Sequence, residues 1–341
     1  MHDPVEEKAT EPDIGLMRPE DAAGVVELYR ATYGEAYPIK EMYDPEYLLG
    51  QQERNEMYHI VARNREGRVV GHLALFRTSA PFPGIWEQGH GMVLAEYRNL
   101  GLNNLMLEYD HREVIPRLGI EQIWGEAVAN HIYMQKTGIL LGSSETGIAL
   151  DLMPASSYEK ERSSTGRVSA VLTFKTFKPK AQTIFLPRVY EEIMRSIYET
   201  AYDFGHTYLV SDKVMTGKKE SSVQVIFFEG AGVARFTVFE IGDDLRERIR
   251  QVEREVTDRG AVILQVYLKL TDPRIGMGVD GLRECGYFLG GVLPRWFDDD
   301  GMMMQKIMHE PNFEGIKLYT DKAKKLLAFI RKDREEVTGR E

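Results

Sequence analysis

The sequence predicts an α+β fold, a mixed and mostly antiparallel sheet with flanking helices, followed by a second domain of related plan. Three observations carry this. Apolar runs at Tyr58–Ala62 and Val69–Phe76 flank the turn Asn64-Arg65-Glu66-Gly67, which reads as an antiparallel hairpin. A long helical pattern, Leu102–Leu118, lies between a strand at Trp86–Leu94 and another at Gln122–Val128, a single parallel crossover. No G-x-G-x-x-G follows the first strand, so a doubly wound dinucleotide-binding plan is excluded.

The elements follow in order. Residues 1–12 read as a solvated tail. A short apolar run, Ile14–Met17, precedes Arg18-Pro19-Glu20-Asp21, where an early proline and first-turn acids open a helix. Val25, Val26, Leu28 and Tyr29 give that helix its apolar face, and Gly34 ends it. A shorter helix begins near Pro45. After the hairpin, Pro81 and Pro83 mark a loop. Gly119 ends the long helix, and a helical stretch near Ile132–Leu141 follows the strand at Gln122–Val128. Strands at Glu145–Leu150 and Val168–Phe177 flank a polar loop, Ser156–Gly166.

The second half starts near Thr183 with a helix at Arg188–Tyr202. Strands are expected at Ser222–Glu229, Val233–Ile241, Ala261–Leu268, Phe288–Leu293 and Met302–Ile307. Helices are expected at Asp244–Arg259 and Gly276–Cys285. From Val233 onward this order echoes the first half, with Gly260 and Gly286 standing where Gly119 and Gly142 stood: a degenerate internal repeat. A last helix, Lys317–Lys332, docks through Leu326, Leu327 and Ile330. The expected domains are therefore 13–180, 181–310 and a C-terminal helix within 311–341.

Composition narrows the function. A chain of 341 residues suits about two domains of roughly 150 residues. Asp plus Glu number 53 against 43 Lys plus Arg, a net charge of −10, which argues against nucleic-acid binding. A single cysteine, Cys285, excludes an internal disulfide framework and a Cys-rich metal site. It reads as a buried helix residue. Neither a signal-type stretch nor a membrane-length apolar run is present, so a soluble cytoplasmic protein with no membrane partner is expected.

The chemistry concentrates in Val93-Leu94-Ala95-Glu96-Tyr97-Arg98-Asn99-Leu100-Gly101-Leu102-Asn103. A strand enters a loop that holds Arg98 and Gly101, and a helix starts at once. Unpaired N–H groups at a helix start, with its dipole, form an anion site, and glycine lets the backbone approach the ligand.

This segment resembles the GNAT superfamily of acyl-CoA-dependent N-acetyltransferases, whose [Q/R]-x-x-G-x-[G/A] motif binds the coenzyme A pyrophosphate between the fourth strand and the third helix. Arg98 and Gly101 match; Asn103 departs from the final Gly or Ala. The resemblance covers about residues 13–178 with a motif and about 186–310 by strand order. It implies a tandem protein with a GNAT fold and a degenerate second GNAT-like domain. It implies acetyl-CoA as co-substrate, no metal, and direct acetyl transfer to a primary amine in a ternary complex. Arg98, Asn99, Leu100, Gly101, Leu102 and Asn103 would hold the pyrophosphate. Main-chain N–H groups at Met92, Val93 and Leu94 would receive the thioester carbonyl.

Glu87, 11 residues before Arg98, matches the glutamate base of histone-type members; by period two it shares a face with Gly89, Gly91 and Val93, with His90 on the opposite face. The family's N-x-x-[A/S]-x-x-x-Y-x-x-x-G helix, counted back from Gly142, puts His131 at the Asn position and Gly138 at the Tyr position, so the usual acid is missing. Tyr133 is its expected substitute, His131 lies at the cofactor end, and Glu126 lines the acceptor side or pairs with a base. The acceptor is a small amine or a protein lysine.

Other readings stay structural. Ile241-Gly242-Asp243-Asp244, the matching turn of the second half, has two carboxylates and no arginine, which repels a pyrophosphate. That half is expected to cover the first domain, shape the acceptor pocket or form a homodimer face. Asp298-Asp299-Asp300 reads as a solvated turn, Met302-Met303-Met304 as strand core, and His59 and His72 as structural. The alternative function is a non-catalytic acyl-CoA-binding regulatory or scaffold protein.

Overall fold

The computed structural model describes residues 12–158, 164, 166–201, 204–211, 217 and 220–339. Most of the expected tail and part of the Ser156–Gly166 loop lie outside the described residues. Packing divides the chain into two units. One comprises the chain up to Thr78 and Pro83–Ile123, with a loop piece from Ser156; the other comprises Ser79–Phe82, Trp124–Ala155 and the chain from Ser164 on. The sequence reading puts a domain boundary near 180, whereas this division falls inside a strand.

The first unit runs β1 (Asp13–Leu16), α1 (Ala22–Tyr33), α2 (Pro45–Glu53), β2 (Met57–Arg63), β3 (Val69–Phe76) and β4 (Ile85–Val93). The long helix follows as α3 (Leu102–Tyr109), a π-turn at Asp110–Val114, and α4 (Ile115–Leu118). A 3-10 turn, Pro19–Asp21, precedes α1. Strands β1 to β4 pair antiparallel in chain order. Gly67, Gly34 and Gly119 take positive φ where the hairpin turns and the helices stop. One face of this sheet meets α1 and the other meets α3, where a Cβ added at Gly71 would touch Met106.

Strand β5 (Gln122–Val128) straddles the division. The second unit continues with α5 (Tyr133–Leu140), β6 (Ser144–Met153), β7 (Val168–Thr176), β8 (Thr183–Pro187), α6 (Glu191–Ala201), β9 (Thr207–Ser211), β10 (Ser222–Phe228) and β11 (Val233–Glu240). It closes with α7 (Leu245–Thr257), β12 (Ile263–Lys269), α8 (Ile275–Arg283), β13 (Phe288–Leu293), β14 (Gly301–Ile307) and α9 (Asp321–Thr338). β8 and β9, a separate parallel pair, are absent from the sequence reading.

The repeat is visible in strand order. The sheet reads β5-β7-β6-β13-β14-β12-β11-β10, so β5, β7 and β6 are mirrored by β12, β14 and β13 about one antiparallel join. Gly142 and Gly286 end the preceding helices with φ 84° and 85°. At the join Gly147 faces Gly291, where an added Cβ would lie 2.2 Å from the Gly147 Cα. Gln305 completes the seam: its Oε1 accepts from Leu150 N at 2.9 Å and its Nε2 donates to Ile148 O at 2.9 Å.

The core of this unit gathers α6 to α9 against β6 and β11 to β14. Met302 and Met304 are buried in it, as are Leu326 and Ile330 of α9, and Met303 is buried too. Cys285 is buried, and burial pushes its thiol up. The solvated reading of the aspartate run fails at Asp300, which is buried and accepts from Tyr198 Oη at 2.8 Å and Gln182 Nε2 at 2.8 Å.

Candidate active site

Strand β4 is bulged. Gly89 pairs with Ala74 and Met92 with His72, so His90 and Gly91 together oppose Leu73. His90 takes φ 55°, a left-handed value unusual for a residue with a side chain.

The extra residue reverses the face assignment downstream. Glu87 pairs with Phe76, and Gly89 and Met92 lie on its face; Val93, opposite Gly71, lies on the other. This corrects the period-two reading, which put Val93 with Glu87. It also moves His90, whose ring stands 4.6 Å from that of Phe76, onto the face of Glu87.

Glu87 is buried, and its Oε2 accepts from Thr78 Oγ1 at 2.7 Å. Around the bulge, Tyr29 Oη bonds His90 Nδ1, and Tyr37 Oη lies 3.2 Å from His90 Nε2. Behind it, His72 Nδ1 meets the His90 carbonyl at 3.1 Å, and His59 Nδ1 meets His72 Nε2 at 3.0 Å. Sequence reasoning missed Tyr29 and Tyr37 as neighbours of the strand because α1 and its following loop bring them there from far away in the chain.

Burial sets the charge of this cluster. It pulls His72 down to about 4, and burial followed by repulsion from His72 pulls His90 to about 3. His59 is also pushed well down, by burial first and then by His72 and His90. An unfolded histidine takes its proton near pH 6.5, while His72 stays neutral until about pH 4. The contribution of His72 to stability is therefore full above pH 6.5 and is lost as the pH drops from 6.5 to 4, an amount of about 3 kcal/mol. Urea titrations of the parent and of His72→Gln at pH 7.5 and 4.5 check this through the change in the gap between the two forms, from which distant titrating groups cancel.

Beyond β4 the backbone passes through an open turn into α3. Leu94 N donates to Val70 O at 3.0 Å, so that N–H is engaged in the β3 ladder rather than offered to a ligand. By alternation the Val93 N–H points toward the other edge of β4. Met92 is buried and Val93 half-buried. Arg98 Nε donates to Val93 O at 3.2 Å, which ties the loop to the strand end while the side chain remains exposed.

Asn99 (φ 68°) and Gly101 (φ 75°) are both left-handed, and Arg98, Asn99, Leu100 and Gly101 are all exposed. Gly101 is the N-cap of α3, no side chain caps that helix start, and a Cβ there would meet nothing within 4 Å. Leu102 is buried as the helix's anchor and Asn103 is half-buried. An open turn, an arginine and a helix start without a side-chain cap fit a diphosphate.

Facing α3 from the opposite side of β4, Gln88 Nε2 donates to Asp110 Oδ2 at 2.6 Å. Asp110 opens the π-turn and is fully buried, and its Oδ1 has no partner.

The second unit holds the other expected residues. Tyr133 starts α5 and is 72% exposed, so it is no packed aromatic; its ring lies 5.2 Å from that of His131. Gly138, at the family's Tyr position, is mid-helix. Glu126 is paired: Arg235 Nη2 donates to its Oε1 at 2.5 Å. The buried Arg235 also donates to Gln265 Oε1 and Ser79 Oγ.

In the turn that matches Arg98–Gly101, Asp244 Oδ1 accepts from Ser221 N at 2.7 Å and Ser221 Oγ at 2.8 Å, and Asp243 pairs with Arg274. A Cβ at Gly242 would lie 2.4 Å from Glu220 C, so this turn is packed by the chain itself. Among the described residues, no group of three or more His, Cys, Asp or Glu is arranged to hold a metal, and no helix is long and apolar enough to cross a membrane.

No family model matches the chain, and no curated protein does. Solved structures similar to it include a ribosomal-protein-S5-alanine acetyltransferase from Vibrio fischeri, 13% identical over 49% of this chain and 93% of that one, with a TM-score of 0.41. A ribosomal-protein-S18-alanine N-acetyltransferase from Escherichia coli is 15% identical over 50% and 96%, TM-score 0.40. A putative acetyltransferase from Salmonella typhimurium, described with its cofactor acetyl-CoA, is 17% identical over 50% and 96%, TM-score 0.40.

Proposed function

We propose that this chain is a GNAT-type N-acetyltransferase that moves an acetyl group from acetyl-CoA to a primary amine. The observation that carries the reading is the exposed left-handed turn Arg98–Gly101, which opens into a helix start without a side-chain cap directly after a bulged strand. The turn and the first N–H groups of α3 hold the diphosphate, with Arg98 adding charge. The main-chain N–H of Val93, on the free side of β4's alternation, takes the thioester carbonyl. The amine attacks that carbonyl, the carbon–sulfur bond breaks, and the acetyl group leaves on nitrogen.

On this reading Glu87 accepts the proton the amine releases, directly or through water. Tyr133 returns a proton to the departing thiolate, and His131 contributes at the cofactor end. The acceptor is a small-molecule amine or a protein lysine, and the lone cysteine suits a reducing, cytoplasmic setting.

Acetyl-CoA incubated with an amine panel should release thiol. Arg98→Ala should weaken CoA binding by about 1–3 kcal/mol by calorimetry; an unchanged affinity removes Arg98 from the site. Glu87→Gln should lower turnover and alter the pH–rate profile, and an unaltered profile rules Glu87 out as the base. The missing tyrosine at Gly138 favours a second reading, a non-catalytic acyl-CoA-binding regulator or scaffold. Binding without thiol release across the panel selects it.

A further inference from the structure

We propose that His72, backed by His59, is a positioning residue that holds the β4 bulge in the form the thioester meets, through a fixed order of imidazole tautomers. The part concerning the thioester rests on the acetyltransferase reading; the clamp itself does not.

The order follows from donors and acceptors. A carbonyl only accepts, so the His72 Nδ1 that faces His90 O carries the hydrogen. A neutral His72 then leaves Nε2 bare, and it accepts from His59 Nδ1. His59 Nε2 is left bare in turn: no partner meets it in hydrogen-bond geometry, and the Leu48 backbone beside the ring, which favours a proton there, opposes this order. Any other neutral arrangement sets two hydrogens or two lone pairs against each other.

The bulge needs such a clamp. His90 sits in a backbone region that costs a side-chain-bearing residue about 1–3 kcal/mol unless its surroundings over-determine it. Here they do so twice: Tyr29 and Tyr37 hold the ring, and His72 holds the carbonyl. The carbonyl bond fixes the peptide orientation at the bulge, and so the direction in which the N–H groups after it point. His59 and His72 are both fully buried, so water does not compete for these bonds.

Nitrogen-15 spectra of the imidazoles in the full chain test the clamp first. The expected result is a hydrogen on His72 Nδ1 and on His59 Nδ1, with both Nε2 atoms bare. A hydrogen on His72 Nε2 with Nδ1 bare overturns the proposal. His72→Leu, which removes the donor, should then weaken acetyl-CoA binding about 10-fold by calorimetry, the scale of one lost hydrogen bond, and shift the amide resonances of Gly89, Gly91 and Met92. Free CoA, which has no acyl carbonyl, should bind both forms alike.

His72→Gln, whose amide can donate to the same carbonyl, should recover acetyl-CoA affinity to within about 3-fold of the parent. Parent-like acetyl-CoA affinity in the Leu form, or an equal loss in the Gln form, overturns the proposal. If the Leu form does not fold, the tautomer spectra and the Gln form decide. If the parent binds no acetyl-CoA, the acetyltransferase reading falls, while the tautomer spectra still decide the clamp.

Discussion

Asp21→Ala is expected to cost about 3–5 kcal/mol, the scale for stripping a buried ion pair of one partner. Arg63 Nε donates to Asp21 Oδ1 at 2.9 Å and Nη2 donates to Oδ2 at 2.5 Å, with both side chains 3% exposed. Arg63 Nη2 also donates to Leu16 O at 2.9 Å, so one guanidinium ties β1, β2 and the entry to α1 together. Burial pushes the Asp21 carboxyl up, but Arg63 and the Arg18 N–H more than offset this and hold it below the usual range. Alanine leaves Arg63 with only the half-exposed Asp13 as counter-ion. The urea midpoint reads the loss. Asp21→Leu with Arg63→Met should recover most of it, because removing both charges removes the desolvation cost along with the attraction. A loss below about 1 kcal/mol would show that water reaches the pair.

Asp110→Asn is expected to stabilise the protein at pH 8 and leave it unchanged at pH 4. Burial pushes the Asp110 carboxyl up to about 7, and the hydrogen bond from Gln88 pulls it only part of the way back. The folded chain keeps this proton until pH 7, whereas the unfolded chain releases it near pH 4. The contribution of Asp110 is therefore fully present below pH 4 and is lost as the pH climbs from 4 to 7, an amount of about 4 kcal/mol. Asparagine has no proton to lose and still accepts from Gln88. Thermal unfolding of both forms across that window checks the difference. An equal gap at every pH would mean Asp110 titrates normally.

Elements set by local pattern were legible in the sequence. Gln122–Val128 and Phe288–Leu293 matched the observed strands to the residue, because each is an apolar run bounded by a turn or a glycine. The turn at Arg98–Gly101 was legible because the glycine and the helix start fix its backbone. What escaped depends on distant contacts. Nothing in the period of β4 announces its bulge, since the extra residue is absorbed by Leu73 on another strand, and the faces of Val93 and His90 were misassigned with it. The π-turn left no mark on the helical spacing of Leu102–Leu118. β8 and β9 are too short to display alternation.

The seam at Gly147 and Gly291 has a thermodynamic meaning. Two copies of one strand plan meet there edge to edge, as subunits of a symmetric assembly do, yet one covalent chain supplies both. Their meeting carries no cost of lost translation, and dilution cannot part them. Each copy is thereby released from having to match itself, and the second holds Asp243 and Asp244, tied to Arg274 and Ser221, at the turn where the first has Arg98 and Gly101.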